Sequence, residues 1–277
     1  MLTRLKRVRH VALDMDGTIY KGNTLFDVTA PFLALLEEIG VGYTFLTNNP
    51  SKNLADYIKH LREMGIHAQE DQLYTSTQAT IEFLQSEWPK LRRLYVLGTP
   101  SMCEAFRAAG FELVSEESTD GPHGVVVGFD TTLSYARLCR AAWWIQQGKP
   151  YFATNPDRIC PTDQPTVLLD CGAICAALES ATGVAPSAVL GKPDPAMLNG
   201  ILRKNGIAAE NLAMVGDRLY TDIAMARRAG ALGVLVLTGE TSAAQAHASQ
   251  PPPDLVVPSL AEFGARLREA LGAKVVV

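Results

Sequence analysis

One short segment near the N-terminus limits the possible folds of this chain more than any other. An apolar run at positions 11–13 ends at Asp14, and a second carboxylate, Asp16, precedes the turn residue Gly17. A short apolar run that ends in a glycine turn predicts a buried strand. Both carboxylates then lie at the carboxyl end of that strand, which is the edge where open α/β sheets bind their ligands.

The proximity of Asp14 and Asp16 needs an explanation, because the ionised forms of two neighbouring acids repel each other. A metal ion compensates most simply, since hard cations such as Mg²⁺ take oxygen ligands. One acid can also attack phosphorus, because aspartate is an established nucleophile in phosphoryl transfer. On this motif alone, an ordinary acidic turn after a strand is an equal alternative, since short motifs also match by chance.

Predicted strands and helices alternate along the rest of the chain, which indicates parallel β-α-β units. The predicted strands cover 41–46, 93–98, 124–128, 151–154, 166–169, 212–215, 232–237 and 255–257. The predicted helices cover 28–39, 51–64 with Ser51 as its cap, 77–87, 101–109, 134–147, 172–181, 196–205, 220–229 and 260–271. Residues 155–164 are polar and rich in proline, which predicts a loop.

Composition excludes several classes of function. The chain has 277 residues and a formal net charge of −4, and its basic residues form no stripe of the kind that nucleic-acid binders show. Its apolar runs fall short of both a membrane helix and a signal-peptide core. The five cysteines match no zinc spacing and are expected as reduced core thiols. We therefore expect a cytoplasmic protein with neither nucleic-acid nor membrane partners.

Further polar residues lie after predicted strands or just before a predicted helix. They are Thr47 with Asn48 and Asn49, Lys192 in a Gly-Lys-Pro turn, and Asp217 with Asp222. Taken one at a time, each is better explained as a helix-entry turn, a helix cap, a surface acid or a solvated charge. The carboxyl ends of parallel strands share one edge of a sheet, so these groups can converge. Together they would supply a nucleophile, a metal site and donors to phosphoryl oxygens.

These motifs resemble those of a known superfamily. The segments D-M-D-G-T at 14–18, T-N-N at 47–49, G-K-P at 191–193 and G-D at 216–217 through Asp222 resemble the four motifs of the haloacid dehalogenase superfamily. The T-N-N triplet, the G-K-P turn and the long insert between them resemble its NagD-type, p-nitrophenylphosphatase-like branch, as do A-T-N-P-D at 153–157 and C-G-A at 171–173.

This resemblance extends over nearly the whole chain and implies a domain organisation. The expected fold is an α/β, Rossmann-like doubly wound parallel sheet core with an inserted α/β cap domain. Residues 1–82 and 188–277 would form the core and residues 83–187 the cap. In this branch the cap closes over the core and offers a loop to the substrate, and the matching loop here is 155–164.

The resemblance also implies chemical roles. Asp14 would be the nucleophile that forms an aspartyl-phosphate, and Asp16 would protonate the leaving group and later activate water. Mg²⁺ would be held by Asp14, the backbone carbonyl of Asp16, and Asp217. Asp222 would orient a water molecule or Lys192.

The remaining implied contacts concern the substrate. Thr47, the amides of Asn48 and Asn49, and Lys192 would bind the phosphoryl group. In the cap loop, Asn155 and Asp157 are expected to contact the substrate. Cys160 lies where some relatives carry a histidine, so the identity of the substrate stays open. Trp143 and Trp144 on a cap helix fit either core packing or a homodimer contact through the cap.

The predicted function is a Mg²⁺-dependent phosphatase that acts on small phosphate monoesters of the sugar phosphate, nucleotide or p-nitrophenyl phosphate type. A phosphomutase on the same scaffold is the alternative, and it would have to shield the aspartyl-phosphate from water. A dehalogenase is disfavoured because a halide needs no proton from Asp16. A non-catalytic phosphometabolite-binding relative predicts the loss of Asp14, Asp16, Lys192 or Asp217, and all four residues are present.

Overall fold

The computed structural model describes residues 1–160 and 166–272. The strands are β1 (His10–Asp14), β2 (Tyr20–Lys21), β3 (Thr24–Leu25), β4 (Gly42–Thr47), β5 (Leu73–Thr75), β6 (Arg93–Leu97), β7 (Glu112–Leu113), β8 (Gly124–Val127), β9 (Tyr151–Ala153), β10 (Ile159–Cys160), β11 (Leu168–Leu169), β12 (Ala188–Val189), β13 (Leu212–Gly216), β14 (Leu232–Val236) and β15 (Leu255–Val257). The α-helices are α1 (Leu2–Leu5), α2 (Thr29–Glu38), α3 (Leu54–Glu63), α4 (Ser76–Glu87), α5 (Pro100–Ala108), α6 (Tyr135–Gln146), α7 (Cys171–Thr182), α8 (Ala196–Asn205), α9 (Ala224–Ala229), α10 (Ala243–Ala248) and α11 (Leu260–Leu271).

The larger sheet has six strands in the order β15-β14-β13-β1-β4-β5. Its central strand β1 pairs in parallel with β4 on one side and β13 on the other. The next core strands in the chain, β4 and β5, therefore extend the sheet on one side of β1. The later strands β13, β14 and β15 extend it on the other side. Every residue of β1 is buried, as expected for a central parallel strand. The reversal of strand order makes the carboxyl end of β1 the topological switch point, where ligands of open α/β sheets bind.

The smaller sheet has five parallel strands in the order β12-β9-β8-β6-β7. Successive residues of a strand point to opposite faces of the sheet, so the side chains of this sheet pack into two separate hydrophobic cores, one on each face. One core contains Tyr95, Leu97, Val125 and Val127 with the buried side of α6 and α7. The other contains Leu94, Val96, Val126 and Phe152 with Met102 and Phe106 of α5. The predicted fold class, a doubly wound parallel core sheet with an inserted α/β cap, is confirmed.

Two compact units contain these sheets. The core unit comprises residues 1–47, 58–74 and those from 192 onward, and the cap unit comprises residues 48–57 and 75–191. The domain boundaries predicted from the sequence, with a cap at 83–187, remain a prediction. Among the helices in the described ranges, none has the combined length and apolarity needed to span a bilayer.

The second predicted helix begins later than its sequence pattern indicated. Ser51 was the predicted cap, but α3 starts at Leu54. Asn53 Oδ1 accepts the Asp56 N–H at 2.9 Å, and the Asp56 carboxylate accepts the Asn53 N–H at 3.2 Å. This reciprocal pair satisfies the first amides of the helix, so Asn53 is the residue that caps it.

Other differences concern short or irregular elements. The helix predicted at 220–229 is a π-helical turn, Leu219–Ile223, followed by α9. Several strands of two or three residues, such as β7 and β12, are too short to give a periodic pattern. Within the predicted loop 155–164, β10 pairs antiparallel with β11, and residues 161–164 lie outside the described residues.

Candidate active site

Asp14 is the last residue of β1, and a tight turn follows it. The N–H groups of Thr18 and Ile19 both donate to the Met15 carbonyl, at 3.2 and 2.9 Å. Gly17 has a φ of 89°, a conformation that favours glycine. This turn brings the buried Thr18 hydroxyl back onto Asp14, where Thr18 Oγ1 donates to Asp14 Oδ2 at 3.2 Å. The turn therefore fixes one of the two oxygens of the predicted nucleophile.

Lys192 fixes the other oxygen. It is almost fully buried, and its Nζ donates to Asp14 Oδ1 and, at 2.8 Å, to Asp222 Oδ1. Burial alone would lower the pKa of Lys192, but the negative charges of Asp14 and Asp222 outweigh it and raise the pKa above its ordinary value. Lys192 therefore remains a cation across the whole neutral range, in direct contact with the predicted nucleophile.

Asp217 and Asp222 complete the cluster from the end of β13, the strand next to β1. Asp217 follows β13 directly, and its Oδ2 accepts the Glu240 N–H at 2.6 Å. Asp222 lies in the π-helical turn, is fully buried, and its Oδ2 accepts the Arg218 N–H at 3.1 Å. Among the described residues, Asp217 Oδ1 is buried and has no hydrogen-bond partner. An unpaired buried carboxylate oxygen is costly, which indicates that a cation belongs beside it.

The pKa values of Asp217 and Asp222 also indicate that the site holds more negative than positive charge. Burial, together with the nearby negative charges of Asp14 and Asp222, raises the pKa of Asp217 to about 7. Burial also raises the pKa of Asp222 to about 6, with Lys192 opposing the shift. The raised pKa values of Asp217 and Asp222 indicate that a further cation beside them would stabilise their ionised forms.

A divalent cation fits this group of residues. Asp14, Asp217 and Asp222 each offer a carboxylate oxygen, and these oxygens lie within 4.8 Å of one another. A donor set made only of oxygen atoms suits Mg²⁺ or Ca²⁺ rather than zinc or copper. The unpaired Oδ1 of Asp217 would find its partner in such an ion.

Asp16 differs from these acids because its side chain is exposed. Its Oδ1 accepts the Gly22 N–H at 3.4 Å from the hairpin formed by β2 and β3. Partial desolvation raises the pKa of Asp16, the Gly22 amide opposes the shift, and the charge of Asp14 adds to it. A carboxyl group with a raised pKa and access to solvent is suited to donate and accept protons.

Thr47 lies at the adjacent strand end. It is the buried last residue of β4, whose Leu46 is in register with Asp14 of β1. The core unit therefore places Thr47 next to the strand end that carries Asp14, while Lys192, Asp217 and Asp222 converge on Asp14 itself. Their individual roles in phosphoryl and metal binding stay predictions.

Three predicted site residues of the cap unit, Asn48, Asn155 and Asp157, bond to one another. Asn48 Nδ2 donates to Asp157 Oδ2 at 3.0 Å, and the fully buried Asn155 donates through Nδ2 to the Asn48 carbonyl at 2.8 Å. The Asp157 N–H in turn donates to Asn155 Oδ1 at 3.1 Å, and Asn49 Oδ1 accepts the Ser51 N–H at 2.9 Å. Direct contact of Asn155 and Asp157 with a substrate stays a prediction.

The sequence reading missed several residues that support the site. Thr18 holds Asp14, and Ser76 donates to the Asn48 carbonyl at 2.6 Å. The amide of Glu240 holds Asp217. Thr18 could have been found, because it closes the D-x-D-G-T motif. Ser76 and Glu240 carry no local signal, since their roles arise from contacts with residues 28 and 23 positions away.

Comparison with known proteins identifies the family. A model of haloacid dehalogenase-like hydrolases matches residues 11–112, and a HAD-hydrolase-like model matches residues 189–263. An acid sugar phosphatase from Staphylococcus saprophyticus is 33% identical over 258 residues, which cover 93% of this chain and 97% of that relative. The chain belongs to the haloacid dehalogenase-like hydrolases. The two matched segments carry all the core motifs and leave most of the cap unit outside them.

Solved structures place this haloacid dehalogenase-like hydrolase in a branch. A 4-nitrophenylphosphatase from Thermotoga maritima is 38% identical with a TM-score of 0.89, over 95% of this chain and 98% of that one. A glycerol phosphate phosphatase from Mycobacterium tuberculosis, solved in complex with magnesium, is 30% identical with a TM-score of 0.84, over 95% of this chain and 77% of that one. The predicted branch, that of NagD and the p-nitrophenylphosphatases, is confirmed. The predicted enzyme class, a phosphatase, is confirmed as well.

Proposed function

We propose that this haloacid dehalogenase-like hydrolase removes the phosphoryl group from small phosphate monoesters through an aspartyl-phosphate on Asp14, with Mg²⁺ as its cofactor. The observation that carries the proposal is the buried contact of Lys192 with Asp14, beside the two further carboxylates of Asp217 and Asp222. An anionic nucleophile approaches an anionic phosphate only where positive charge offsets their repulsion, and this cluster is built to hold such charge.

In the first step, a carboxylate oxygen of Asp14 bonds to phosphorus as the bond from phosphorus to the leaving oxygen breaks. Asp16 gives its proton to that leaving oxygen, so the product departs as an alcohol. Thr18 and Lys192 hold the two oxygens of Asp14 before the substrate arrives. The nucleophile is thus oriented in advance, which lowers the entropic part of the barrier.

In the second step, the ionised Asp16 accepts a proton from water. The water oxygen bonds to phosphorus as the bond from phosphorus to Asp14 breaks, and inorganic phosphate leaves. Asp14 returns to its carboxylate form and Asp16 to its acid form, so the cycle closes. The raised pKa of Asp16 suits this alternation, because a general acid works best when its pKa approaches the working pH.

The remaining groups bind the phosphoryl group and the metal. Lys192 and Thr47, with the amides of Asn48 and Asn49 that follow Thr47 in the chain, would hold the phosphoryl oxygens. Asp14, Asp217 and the backbone carbonyl of Asp16 would hold Mg²⁺, which when bound offsets the charge on those oxygens. Asp222 orients Lys192 through the contact between Asp222 Oδ1 and Lys192 Nζ.

The relatives support the substrate class. They include an acid sugar phosphatase, a 4-nitrophenylphosphatase and a glycerol phosphate phosphatase. Sugar phosphates, glycerol phosphate, nucleotides and p-nitrophenyl phosphate therefore make up the test panel. We propose that Asp157 and the cap loop after it contribute to the choice among these substrates.

The experiment measures hydrolysis of this panel with Mg²⁺, with EDTA, and with Mg²⁺ restored. We expect activity that EDTA removes and Mg²⁺ restores, and that Asp14→Asn abolishes with little loss of stability. Asp27→Asn, the same change at an exposed acid of the core unit, is the matched control and should keep full activity. Hydrolysis of no member of the panel, or full activity in Asp14→Asn, would refute the proposal.

A further inference from the structure

We propose that Ser76 and Asn155 are positioning residues that orient and polarise the peptide group between Asn48 and Asn49. In this role they strengthen the Asn49 N–H as a hydrogen-bond donor to the phosphoryl group. The inference rests on the proposed function, because it assigns these two side chains a part in phosphoryl binding. Neither side chain needs to touch the substrate.

Two side chains converge on one carbonyl oxygen within the cap unit. Ser76, the first residue of α4, donates from Oγ to the Asn48 carbonyl at 2.6 Å. Asn155, two residues after β9, donates from Nδ2 to the same oxygen at 2.8 Å. Both side chains are fully buried. This buried carbonyl thus uses both lone pairs on side-chain donors that lie 28 and 107 residues away.

The surroundings hold each donor in place. Asn155 Oδ1 accepts the Asp157 N–H. This bond keeps the Nδ2 end of the side-chain amide directed at the Asn48 carbonyl. Gly191 approaches Asn155 so closely that an added Cβ would lie 2.7 Å from Asn155 Cβ, well inside ordinary contact. The backbone carbonyl of Ser76 accepts the Thr80 hydroxyl at 2.8 Å within α4. The Asn155 amide therefore cannot turn away from the Asn48 carbonyl without losing its bond with the Asp157 N–H, and the backbone of Ser76 is held within α4.

The neighbouring groups of Asn49, its own carbonyl and its side chain, are also held. Tyr57 donates its hydroxyl to the Asn49 carbonyl at 2.8 Å, and Asn49 Oδ1 accepts the Ser51 N–H. The Asn48 carbonyl and the Asn49 N–H belong to one planar peptide unit and point in opposite directions. Fixing the carbonyl direction therefore fixes the direction of the N–H.

Donation to the carbonyl also changes the strength of the N–H. Each hydrogen bond at the oxygen draws electron density from the peptide nitrogen, and bonds linked in this way reinforce one another by roughly 10–30%. Two donors at one oxygen make the Asn49 N–H a stronger donor than an ordinary amide. Preorganised donors of this kind are the main source of electrostatic stabilisation in phosphoryl and acyl transfer.

The first test measures how tightly inorganic phosphate binds as a competitive inhibitor, in the presence of Mg²⁺. In Ser76→Ala and Asn155→Ala we expect phosphate to bind about threefold to tenfold more weakly, as the loss of one hydrogen bond predicts. In the double variant the loss should exceed the product of the single losses, because the buried carbonyl then has neither side-chain donor. The Mg²⁺ activation constant should not change, since the core carboxylates are untouched.

Two matched controls separate positioning from general destabilisation. Ser86→Ala removes another serine hydroxyl from α4, where it donates to the Phe83 carbonyl at the surface. Asn205→Ala removes another asparagine that donates to a main-chain carbonyl, that of Ile201 in α8. Both controls should bind phosphate as the wild type does. If Asn155→Ala fails to fold, Ser76→Ala alone still decides the question, since it deletes a single atom.

The second test reads the peptide directly and does not depend on activity. With ¹⁵N-labelled asparagine, the amide nitrogen and proton signals of Asn49 should move upfield in both single variants and further in the double variant. Unchanged Asn49 signals together with unchanged phosphate affinity in the double variant would overturn the inference. If the wild type hydrolyses phosphate monoesters while this happens, only the inference fails. A wild type without phosphatase activity would refute the proposed function instead, and the Asn49 signals would still decide whether the peptide is polarised.

Discussion

Gly239→Ala should disable the proposed metal site although it replaces none of the proposed ligands. Gly239 lies in the loop after β14, against the side chain of Asp217. A Cβ added there would lie 2.5 Å from Asp217 Cγ and closer still to Oδ2, whereas real Cβ atoms do not approach other atoms below 3.0 Å. The methyl group contacts the rigid end of a short side chain that is buried on all sides, so the carboxylate itself has to move.

The size of that movement sets the expected effect. The carboxylate must retreat by at least the difference between 2.5 and 3.0 Å, and this breaks the 2.6 Å hydrogen bond from the Glu240 N–H. Metal–oxygen distances tolerate only about 0.2 Å of error. Loss of a contact that supports a ligand typically weakens metal binding by about 10- to 100-fold, and we expect that loss here. Overpacking should also lower the free energy of unfolding by about 1–3 kcal/mol.

The assay is the Mg²⁺ concentration dependence of kcat/KM, together with the rise in Tm that Mg²⁺ causes. Gly233→Ala is the matched control, because its added Cβ would meet its nearest neighbour, Ala226 Cβ, at 3.3 Å and disturb no carboxylate of the cluster. The control should keep the wild-type activation constant. A wild-type activation constant in Gly239→Ala would refute the assignment of Asp217 as a metal ligand.

Three further changes have defined outcomes. Asp16→Asn should slow single-turnover release of a sugar from its phosphate more than release of p-nitrophenolate, because only the alkoxide needs a proton; equal losses would exclude Asp16 as the general acid. Lys192→Met should lower kcat/KM by at least about 100-fold, as removal of a preorganised charge does, and a smaller loss would mean that Lys192 does not contact the phosphoryl group. Burial and Lys204 lower the pKa of His10 to about 4 from 6.5, so its neutral form stabilises the fold fully above pH 6.5 and loses that effect as the pH falls toward 4. Between pH 7.5 and 4, the free energy of unfolding measured with urea should therefore fall by about 3 kcal/mol more in the wild type than in His10→Gln. The control His67→Gln, at an exposed histidine, should lose as much as the wild type does. Equal losses in the wild type and His10→Gln would contradict the lowered pKa of His10.

The placement of two acids of the candidate site could be predicted because it depends on strand order. Asp14 and Asp217 each follow a short apolar strand, and the parallel sheet necessarily brings their strand ends to one edge. Lys192 was predictable from its Gly-Lys-Pro turn only through the family resemblance. The contact of Lys192 Nζ with Asp222 Oδ1 at 2.8 Å joins two of these motifs, and no local pattern reports it.

Other features depend on long-range contacts that no local pattern reports. The convergence of Ser76 and Asn155 on one carbonyl joins residues far apart in the chain. The start of α3 was misplaced because both Ser51 and Asn53 are good cap residues, and only the reciprocal bond with Asp56 selects between them. Short strands such as β7 form because they pair with a neighbouring strand, here β6. A strand of two residues is too short to show a periodic pattern in the sequence.

The stereochemical course at phosphorus tests the two-step mechanism most directly. The substrate is a phosphorothioate monoester made chiral with ¹⁶O and ¹⁸O, and the reaction runs in H₂¹⁷O with the wild-type enzyme and Mg²⁺. Attack by Asp14 and then by water gives two in-line displacements, each of which inverts the configuration. The mechanism therefore predicts inorganic thiophosphate with net retention. Net inversion would show that water attacks the substrate directly, and it would contradict an aspartyl-phosphate on Asp14.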